Sequence, residues 1–326
     1  MIEILSASAL ATVQDSGRRG SLRHGVGTAG AMDPLALALG NLMLGNDEGA
    51  AAIEIPVYPF QVRFTEDCAF ALTGADGRAR LDQATLPPWW VCQARKGQVL
   101  TIGIPAPGSG SRVYLALAGG IDVPEVLGSR STQLRGQFGG HQGRALRQGD
   151  VLRAARPGLH QAVDFGVLPP AIDLPLQRDG LPAVRVLPAA EAPQFEDDSR
   201  QAFWSTPWKI TAQSDRYGYR LAGTPLVPRQ AMEIRSHGIV PGVIQVPPGG
   251  QPIVQMRDAQ PSGGYPKFGT VIEADLWRLG QAAIGSHVRF VQVDYEGAIA
   301  AAAQAQAWLA DAARLIALQR WALQRN

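Results

Sequence analysis

Residues 238–276 read GIVPGVIQVPPGGQPIVQMRDAQPSGGYPKFGTVIEADL, and this stretch decides the fold class. Its short apolar runs, at 243–244, 253–254 and 270–272, alternate with clusters of Gly and Pro. Apolar runs of that length between turn-forming residues predict β-strands joined by tight turns. We therefore expect a mainly β fold.

Polar residues, above all glutamines, recur between these apolar runs. A glutamine side chain offers an amide donor and a carbonyl acceptor, so several together suit a planar ligand that carries N–H and C=O groups. The alternative is that these residues serve only the turns of a β scaffold. The set consists of Gln245, Gln251, Gln255, Asp258, Gln260, Tyr265 and Lys267.

The composition is that of an ordinary globular protein with many turns. The 326 residues are 46% hydrophobic and 18% charged, and 37 Gly and 24 Pro favour short strands over long helices. A formal net charge of +2 is too small to indicate nucleic acid or an acidic membrane surface as a partner. Because no basic leader and no run of about 18 apolar residues occurs, we expect a cytoplasmic protein without a membrane anchor.

Metal and redox chemistry find little support in the sequence. Cys68 and Cys92 lack the spacing of a metal-binding or redox pair, so we expect reduced, structural thiols. The five histidines are scattered along the chain. We therefore predict no metal site.

The first half of the chain combines one clear helix with several short strands. Asp33 is suited to an N-cap, Pro34 to the first helical position and Gly45 to the position after the last turn, which predicts a helix over 34–44. Residues 25–30, GVGTAG, match the pattern GxGxxG. No buried strand precedes them and the helix begins later, so we expect no dinucleotide site.

Arginines in a glycine-rich segment, residues 119–150, form a second candidate site. Arg130 and Arg135 lie between glycines there, where a guanidinium fork can bind a carboxylate or phosphate. A solvated connection is the equal alternative.

The segment QSDRYGYRL, residues 213–221, is a third candidate site. Its Asp215, Arg216 and Tyr219 form a dense polar set for recognising a small ligand, although neighbouring Asp and Arg residues also form local ion pairs in turns.

Two domains are expected, over residues 1–170 and 183–326. A Pro-rich stretch, about 157–193, is typical of a junction between domains. An Ala-rich helix is predicted from about residue 297 to the C-terminus.

Several collinear motifs resemble the family of 5-oxoprolinase C subunits, also described as allophanate hydrolase subunit 2-like, biotin-dependent carboxyltransferase-like or Kip antagonist-type proteins. The motifs are TVQDSGRRG, GAMDPLALALGN, ALTGAD, LALAGGIDVPEVLGSRSTQLRG, QSDRYGYRL, GIVPGVIQVPPGGQPI and GGYPKFGTVI, in order across residues 12–272. The resemblance implies two tandem cyclophilin-like β-barrel domains with a few helices. It also implies two partner proteins, a homologous B-subunit-like protein and an A-subunit-like protein.

The resemblance and the polar clusters together give a set of predicted site residues. Lys267 and Arg216 are expected to stabilise developing negative charge, and Asp215 or Tyr219 to move a proton. The sequence departs from the family pattern around this predicted site, with Gln133, Tyr217, His237 and Pro261-Ser262 in place of other residue types. The predicted substrate-binding residues are Asp15, Arg18, Arg130, Arg135, Gln245, Gln260 and Tyr265.

Three functions follow from the resemblance. The first is a subunit of an ATP-dependent 5-oxoprolinase that opens 5-oxoproline to glutamate, with ATP bound at the level of the complex because this chain has no P-loop. The second is the carboxyltransferase component of a biotin-dependent urea or amide carboxylase, which needs a separate carrier because this chain has no Met-Lys biotin-acceptor dipeptide. The third is a non-enzymatic regulator that sequesters its paralogue. The absence of fused carboxylase or carrier domains favours the first.

Overall fold

The chain forms two compact units rich in antiparallel strands. The first comprises Met1–Arg18, Ala29–Asp173 and Trp308–Asn326, and the second comprises Arg19–Thr28 and Leu174–Ala307. The computed structural model describes residues 1–156 and 164–323, so part of the predicted Pro-rich junction lies outside the described residues. The domain limits 1–170 and 183–326 stay a prediction.

The first unit holds two antiparallel sheets. One has the order β11-β1-β4-β9-β6-β7 and the other the order β2-β3-β10-β5-β8. The strands are β1 (Ile2–Ser6), β2 (Thr12–Gln14), β3 (Ala52–Ile55), β4 (Phe60–Phe64), β5 (Cys68–Gly74), β6 (Arg80–Leu81), β7 (Ala84–Thr85), β8 (Trp90–Ala94), β9 (Val99–Ile102), β10 (Val113–Leu117) and β11 (Val151–Leu152).

Alternating side chains of the two sheets enclose the core of the first unit. In β4, Phe60, Val62 and Phe64 are fully buried, whereas Gln61 and Arg63 are not. This period of two is the pattern of a strand with one face in a core. The core cluster draws residues from both sheets, so each sheet covers the other.

One helix, α1 (Pro34–Leu44), lies against the second sheet. The Asp33 carboxylate accepts a hydrogen bond from Ala36 N at 3.0 Å, and Gly45 ends the helix with a φ of 75°. The Thr73 hydroxyl of β5 donates to Ala36 O at 2.7 Å, which fixes the helix to the sheet. The predicted helix and its caps are confirmed.

The second unit contains a closed ring of strands. Its sheet has the order β12-β13-β20-β17-β18-β15-β14-β21, and a parallel pairing of β13 with β21 closes the ring, which leaves β12 outside it. The strands are β12 (Gln177–Arg178), β13 (Leu181–Pro188), β14 (Trp208–Ile210), β15 (Gly218–Ala222), β16 (His237–Gly238), β17 (Val243–Gln245), β18 (Ile253–Gln255), β19 (Ser262–Gly263), β20 (Lys267–Val271) and β21 (His287–Gln292).

Aromatic rings fill this barrel. Phe203 lies 4.0 Å from Phe268 and 4.7 Å from Phe290 between ring centroids, and the Phe290 ring is stacked on it. Strands β16 and β19 pair with each other in a separate two-stranded sheet.

Few helices accompany the sheets. They are α2 (Pro170–Asp173), α3 (Asp197–Ser205), α4 (Leu276–Gln281) and α5 (Tyr295–Leu323), with short 3-10 helices at Leu22–His24, Ala192–Gln194 and Glu273–Asp275. The predicted mainly β fold with few helices and a C-terminal helix is confirmed. Residues 12–14 form β2, which pairs with β3. Within the described ranges, no helix is both long and apolar enough to cross a membrane.

Candidate functional site

Two buried hydrogen-bond donors occupy paired positions on neighbouring strands of the barrel, next to an irregularity in the strand register. Gln245, at the end of β17, is the register partner of Lys267, at the start of β20. Directly opposed residues of an antiparallel pair place their side chains side by side. The two residues are only 3% and 8% exposed, yet neither Gln245 Nε2 nor Lys267 Nζ has a hydrogen-bond partner among the described residues.

Gln255 sets the direction in which the Gln245 amide points. Its Nε2 donates to Gln245 Oε1 at 3.0 Å, and it is itself buried. This bond occupies the carbonyl end of the Gln245 amide and leaves the Nε2 end without a partner among the described residues. An unmatched buried donor costs about 1–3 kcal/mol, so a ligand acceptor at this point would remove a standing penalty.

The small β16–β19 sheet closes over this glutamine. A Cβ added to Gly263 would lie 2.3 Å from Gln245 Nε2 and 3.0 Å from Ile239 Cδ1. Position 263 therefore accepts only glycine while the glutamine keeps its place. This close approach is what buries a polar side chain on a strand end.

Glu191 completes the group, and sequence reasoning missed it. Its carboxylate Oε1 lies 3.6 Å from Lys267 Nζ, with the Glu191 side chain 20% exposed. Ala189 N donates to Phe268 O at 3.0 Å, so the chain leaving β13 stays beside β20 and brings Glu191 to the lysine. No motif marks Glu191, because only the pairing of β13 with β20 gives it a neighbour.

The predicted catalytic residue Arg216 is engaged in an ion pair. Its Nε and Nη2 donate to the two oxygens of Asp258, at 3.0 and 2.8 Å, and both residues are buried. A bidentate pair of this kind neutralises the guanidinium charge. This contact holds residues 216 and 258 together, and the predicted role of Arg216 in stabilising a developing negative charge stays a prediction.

Asp215 and Tyr219, for which proton transfer stays a prediction, lie in a turn and on a buried strand face. The Asp215 carboxylate accepts from the backbone N–H groups of Tyr217 and Gly218, at 2.7 and 3.1 Å, which makes it a turn residue. Tyr219 is fully buried and pairs with Val254, so it lies on the opposite face of the sheet from Gln245. Strand alternation therefore separates Tyr219 from the lysine.

Two other predicted binding residues of this unit are exposed. Gln260 Oε1 accepts a hydrogen bond from the Tyr217 hydroxyl at 3.0 Å. Tyr265, 47% exposed, borders a largely apolar cavity of about 660 Å3 together with Pro266 and Val246. Pro266 directly precedes Lys267 in sequence, and Val246 directly follows Gln245. Other lining residues include Phe195, Leu226, Met232, Ile234 and Pro247.

The GxGxxG segment has a packing role. A Cβ added to Gly27 would lie 2.7 Å from Ala259 O, and Thr28 Oγ1 donates to Arg257 O at 3.2 Å. The glycine therefore allows this segment to approach residues 257–259 closely.

In the first unit, Asp15 organises a buried loop. Its carboxylate accepts from Gly17 N at 2.8 Å, from Ser129 Oγ at 2.6 Å, from Arg130 N and from Ser131 Oγ. Four donors saturate the carboxylate, so its role is to hold the loop together.

The arginines near Asp15 contact the same loop. Arg18 is fully buried, donates to Val126 O at 3.0 Å and to Ser131 O, and lies over the Phe138 ring. Arg130 Nε donates to Val123 O at 3.1 Å, and Arg130 Nη1 lies 3.6 Å from a Glu125 carboxylate oxygen.

Arg135 is exposed, and its backbone N–H donates to Gln133 Oε1 at 2.9 Å. Among the predicted substrate-binding arginines, Arg135 has the most exposed side chain.

Comparison with known proteins decides the family. A model described as carboxyltransferase domain, subdomain A and B, matches residues 24–292. The chain is 43% identical to the C subunit of 5-oxoprolinase from Escherichia coli (strain K12) over 301 residues, which cover 92% of this chain and 94% of that protein. The chain belongs to the carboxyltransferase-domain family that contains the C subunit of 5-oxoprolinase.

Further relatives show the breadth of this carboxyltransferase-domain family. The C subunit of 5-oxoprolinase from Haemophilus influenzae is 41% identical over 298 residues, or 91% of this chain and 93% of that protein. The crystal structure of the Kluyveromyces lactis urea carboxylase matches with a TM-score of 0.86 at 28% identity. That match covers 95% of this chain and 29% of the urea carboxylase chain.

Proposed function

We propose that this chain is the C subunit of an ATP-dependent 5-oxoprolinase that opens 5-oxoproline to glutamate. The observation that supports it most is the unmatched donor pair, Lys267 Nζ and Gln245 Nε2, in a chain 43% identical over nearly its whole length to the C subunit of a 5-oxoprolinase. A carbonyl oxygen is the ligand group that two adjacent donors fit.

The reaction needs its lactam carbonyl activated and its ring nitrogen protonated. Transfer of the γ-phosphoryl group of ATP to the carbonyl oxygen makes the carbon a better electrophile. Water then adds at that carbon, and the C–N bond breaks as the nitrogen takes a proton, which leaves an acyl phosphate. A second water hydrolyses this acyl phosphate and releases phosphate. The products are glutamate, ADP and phosphate.

In this scheme Lys267 and Gln245 hold the carbonyl oxygen. The two donors position that oxygen for phosphoryl transfer, and the ammonium also stabilises the negative charge of the phosphoryl group that arrives there. ATP and the remaining chemistry belong to the complex with A-subunit-like and B-subunit-like proteins. We expect the B-subunit-like partner to bury roughly 1,200 Å2 or more with this chain.

Reconstitution tests the proposal. The chain is co-expressed with an A-subunit-like and a B-subunit-like protein, and glutamate formation from 5-oxoproline is measured with and without ATP. We expect turnover only with all three proteins and ATP. Undiminished turnover when this chain is omitted contradicts the proposal, and separate elution from the B-subunit-like protein at micromolar concentration contradicts the partnership.

Carboxyl transfer is a second candidate, and the likeness to urea carboxylase supports it. A ureido ring also presents a carbonyl oxygen to two donors. Avidin separates the two functions, because it sequesters a biotinylated carrier and leaves a biotin-free 5-oxoprolinase untouched. We expect avidin to have no effect on the reconstituted activity.

A further inference from the structure

A hydrogen-bond acceptor, the Glu191 carboxylate, lies beside Lys267 Nζ. Glu191 lies just before the 3-10 helix Ala192–Gln194, but its side chain makes no hydrogen bond to that helix. Within the described part of the chain, its carboxylate has one polar neighbour, Lys267 Nζ.

The separation of these two charges leaves both groups able to bind a ligand. At 3.6 Å, the Lys267 Nζ to Glu191 Oε1 distance exceeds the 2.7–2.9 Å of a charge-assisted hydrogen bond. The ammonium therefore keeps its donors and the carboxylate keeps its acceptor positions. Mutual attraction nevertheless holds the two groups next to each other.

We propose that Glu191 accepts the ring N–H of the ligand while Lys267 and Gln245 donate to its carbonyl oxygen. Adjacent donors and an acceptor match a cis amide edge, in which N–H and C=O lie on the same side. Small lactams and cyclic ureas present that edge, whereas an ordinary trans amide presents the two groups on opposite sides. This inference rests on the proposed function, because it assumes that the ligand binds at Lys267 and Gln245. It adds the class of ligand that this site recognises.

A lactone in place of a lactam measures the contribution of the N–H group. The lactone analogue of 5-oxoproline keeps the ring, the carbonyl and the carboxylate but has a ring oxygen that repels the Glu191 carboxylate. Loss of a hydrogen bond to a charged group lowers affinity by about 10- to 100-fold. We expect the full wild-type chain to prefer 5-oxoproline over its lactone by that factor in titration calorimetry.

Glu191→Ala should remove most of this preference. The affinity ratio of lactam to lactone should fall from about tenfold or more to within about threefold of unity, a change of at least about 0.7 kcal/mol. A residue that only supports the fold would change both affinities together and leave the ratio unchanged. Glu191→Gln, which keeps the size of the side chain, covers the case in which the alanine variant unfolds and should show a reduced ratio. Glu196→Ala, an exposed glutamate of the same segment, is the matched control and should keep the wild-type ratio.

Imidazolidin-2-one, a cyclic urea, separates this inference from the proposed function. If it binds with dependence on Glu191 and 5-oxoproline does not bind, the cis amide rule stands and the 5-oxoprolinase proposal fails. If 5-oxoproline and its lactone bind equally to the wild-type chain, the role of Glu191 is refuted and the 5-oxoprolinase proposal survives. Binding of none of the three compounds at millimolar concentration overturns the inference.

Discussion

Replacing Lys267 by Met removes one positive charge and keeps the length of a side chain that is 11% exposed. If the ammonium donates to the reacting carbonyl oxygen, its loss should cost about 2.7–4 kcal/mol of transition-state stabilisation, or on the order of 100- to 1,000-fold in turnover. We expect the reconstituted complex to lose at least about tenfold.

The stability of the folded chain should change much less. Charges 3.6 Å apart attract by about 4–5 kcal/mol at an effective dielectric constant of about 20, but the variant no longer buries an ammonium, and the remaining Glu191 carboxylate, 20% exposed, keeps access to water. Methionine also retains the packing of the lysine methylenes. We therefore expect a loss of about 1 kcal/mol, or about 2–4 °C in Tm for a unit of this size.

Two further variants complete the assay. Lys209→Met removes an exposed lysine from β14 of the same barrel and should leave turnover unchanged. Lys267→Arg should rescue poorly, because a planar fork does not fit the place of a compact ammonium. Near wild-type turnover of Lys267→Met refutes the assignment, as does a loss that follows unfolding.

Three other variants test the scaffold. Arg144 holds the pKa of Asp150 at about 2 by hydrogen bonding. This carboxylate therefore stabilises the fold at neutral pH and loses that contribution as the pH falls from about 4 to about 2. In urea unfolding, Asp150→Asn should lower the free energy of unfolding by roughly 2 kcal/mol at pH 7, and the difference from the wild-type chain should shrink towards pH 2. Burial raises the thiol pKa of Cys68 to about 11 and of Cys92 to about 12. Both thiols should therefore react slowly with iodoacetamide at pH 8 until the chain unfolds, and rapid labelling of the native chain would contradict this. Replacing both cysteines by Ala should preserve turnover in the folded protein. Asp15→Ala leaves four hydrogen-bond donors of one loop unmatched and should destabilise the chain by about 3–5 kcal/mol in urea unfolding, with a wild-type midpoint as the contrary result.

The elements governed by local chemistry were predictable from the sequence. Asp33, Pro34 and Gly45 specify where helix α1 begins and ends, and the apolar runs between Gly/Pro clusters specify strands β17, β18 and β20. These features depend on neighbours within a few residues. The sequence alone is therefore sufficient to predict this helix and these strands.

The candidate site depends on contacts between distant segments, and sequence reasoning recovered only part of it. It singled out Gln245 and Lys267, but it left open whether they serve only the turns of a β scaffold. The structure shows that both are buried on paired strands and that Glu191 lies beside the lysine. Tyr219 lies in a motif that suggested ligand binding. Side chains alternate between the two faces of the sheet along β15, and the Tyr219 side chain lies on the face opposite Gln245. Glu191 became visible only through the pairing of β13 with β20.

A crystal structure of the full chain with 5-oxoproline tests most directly whether this chain holds the lactam carbonyl. We expect the carbonyl oxygen about 2.7–3.2 Å from both Lys267 Nζ and Gln245 Nε2, as in ordinary hydrogen bonds. A ligand bound elsewhere, with these two donors still unmatched or bonded to the protein itself, would contradict it.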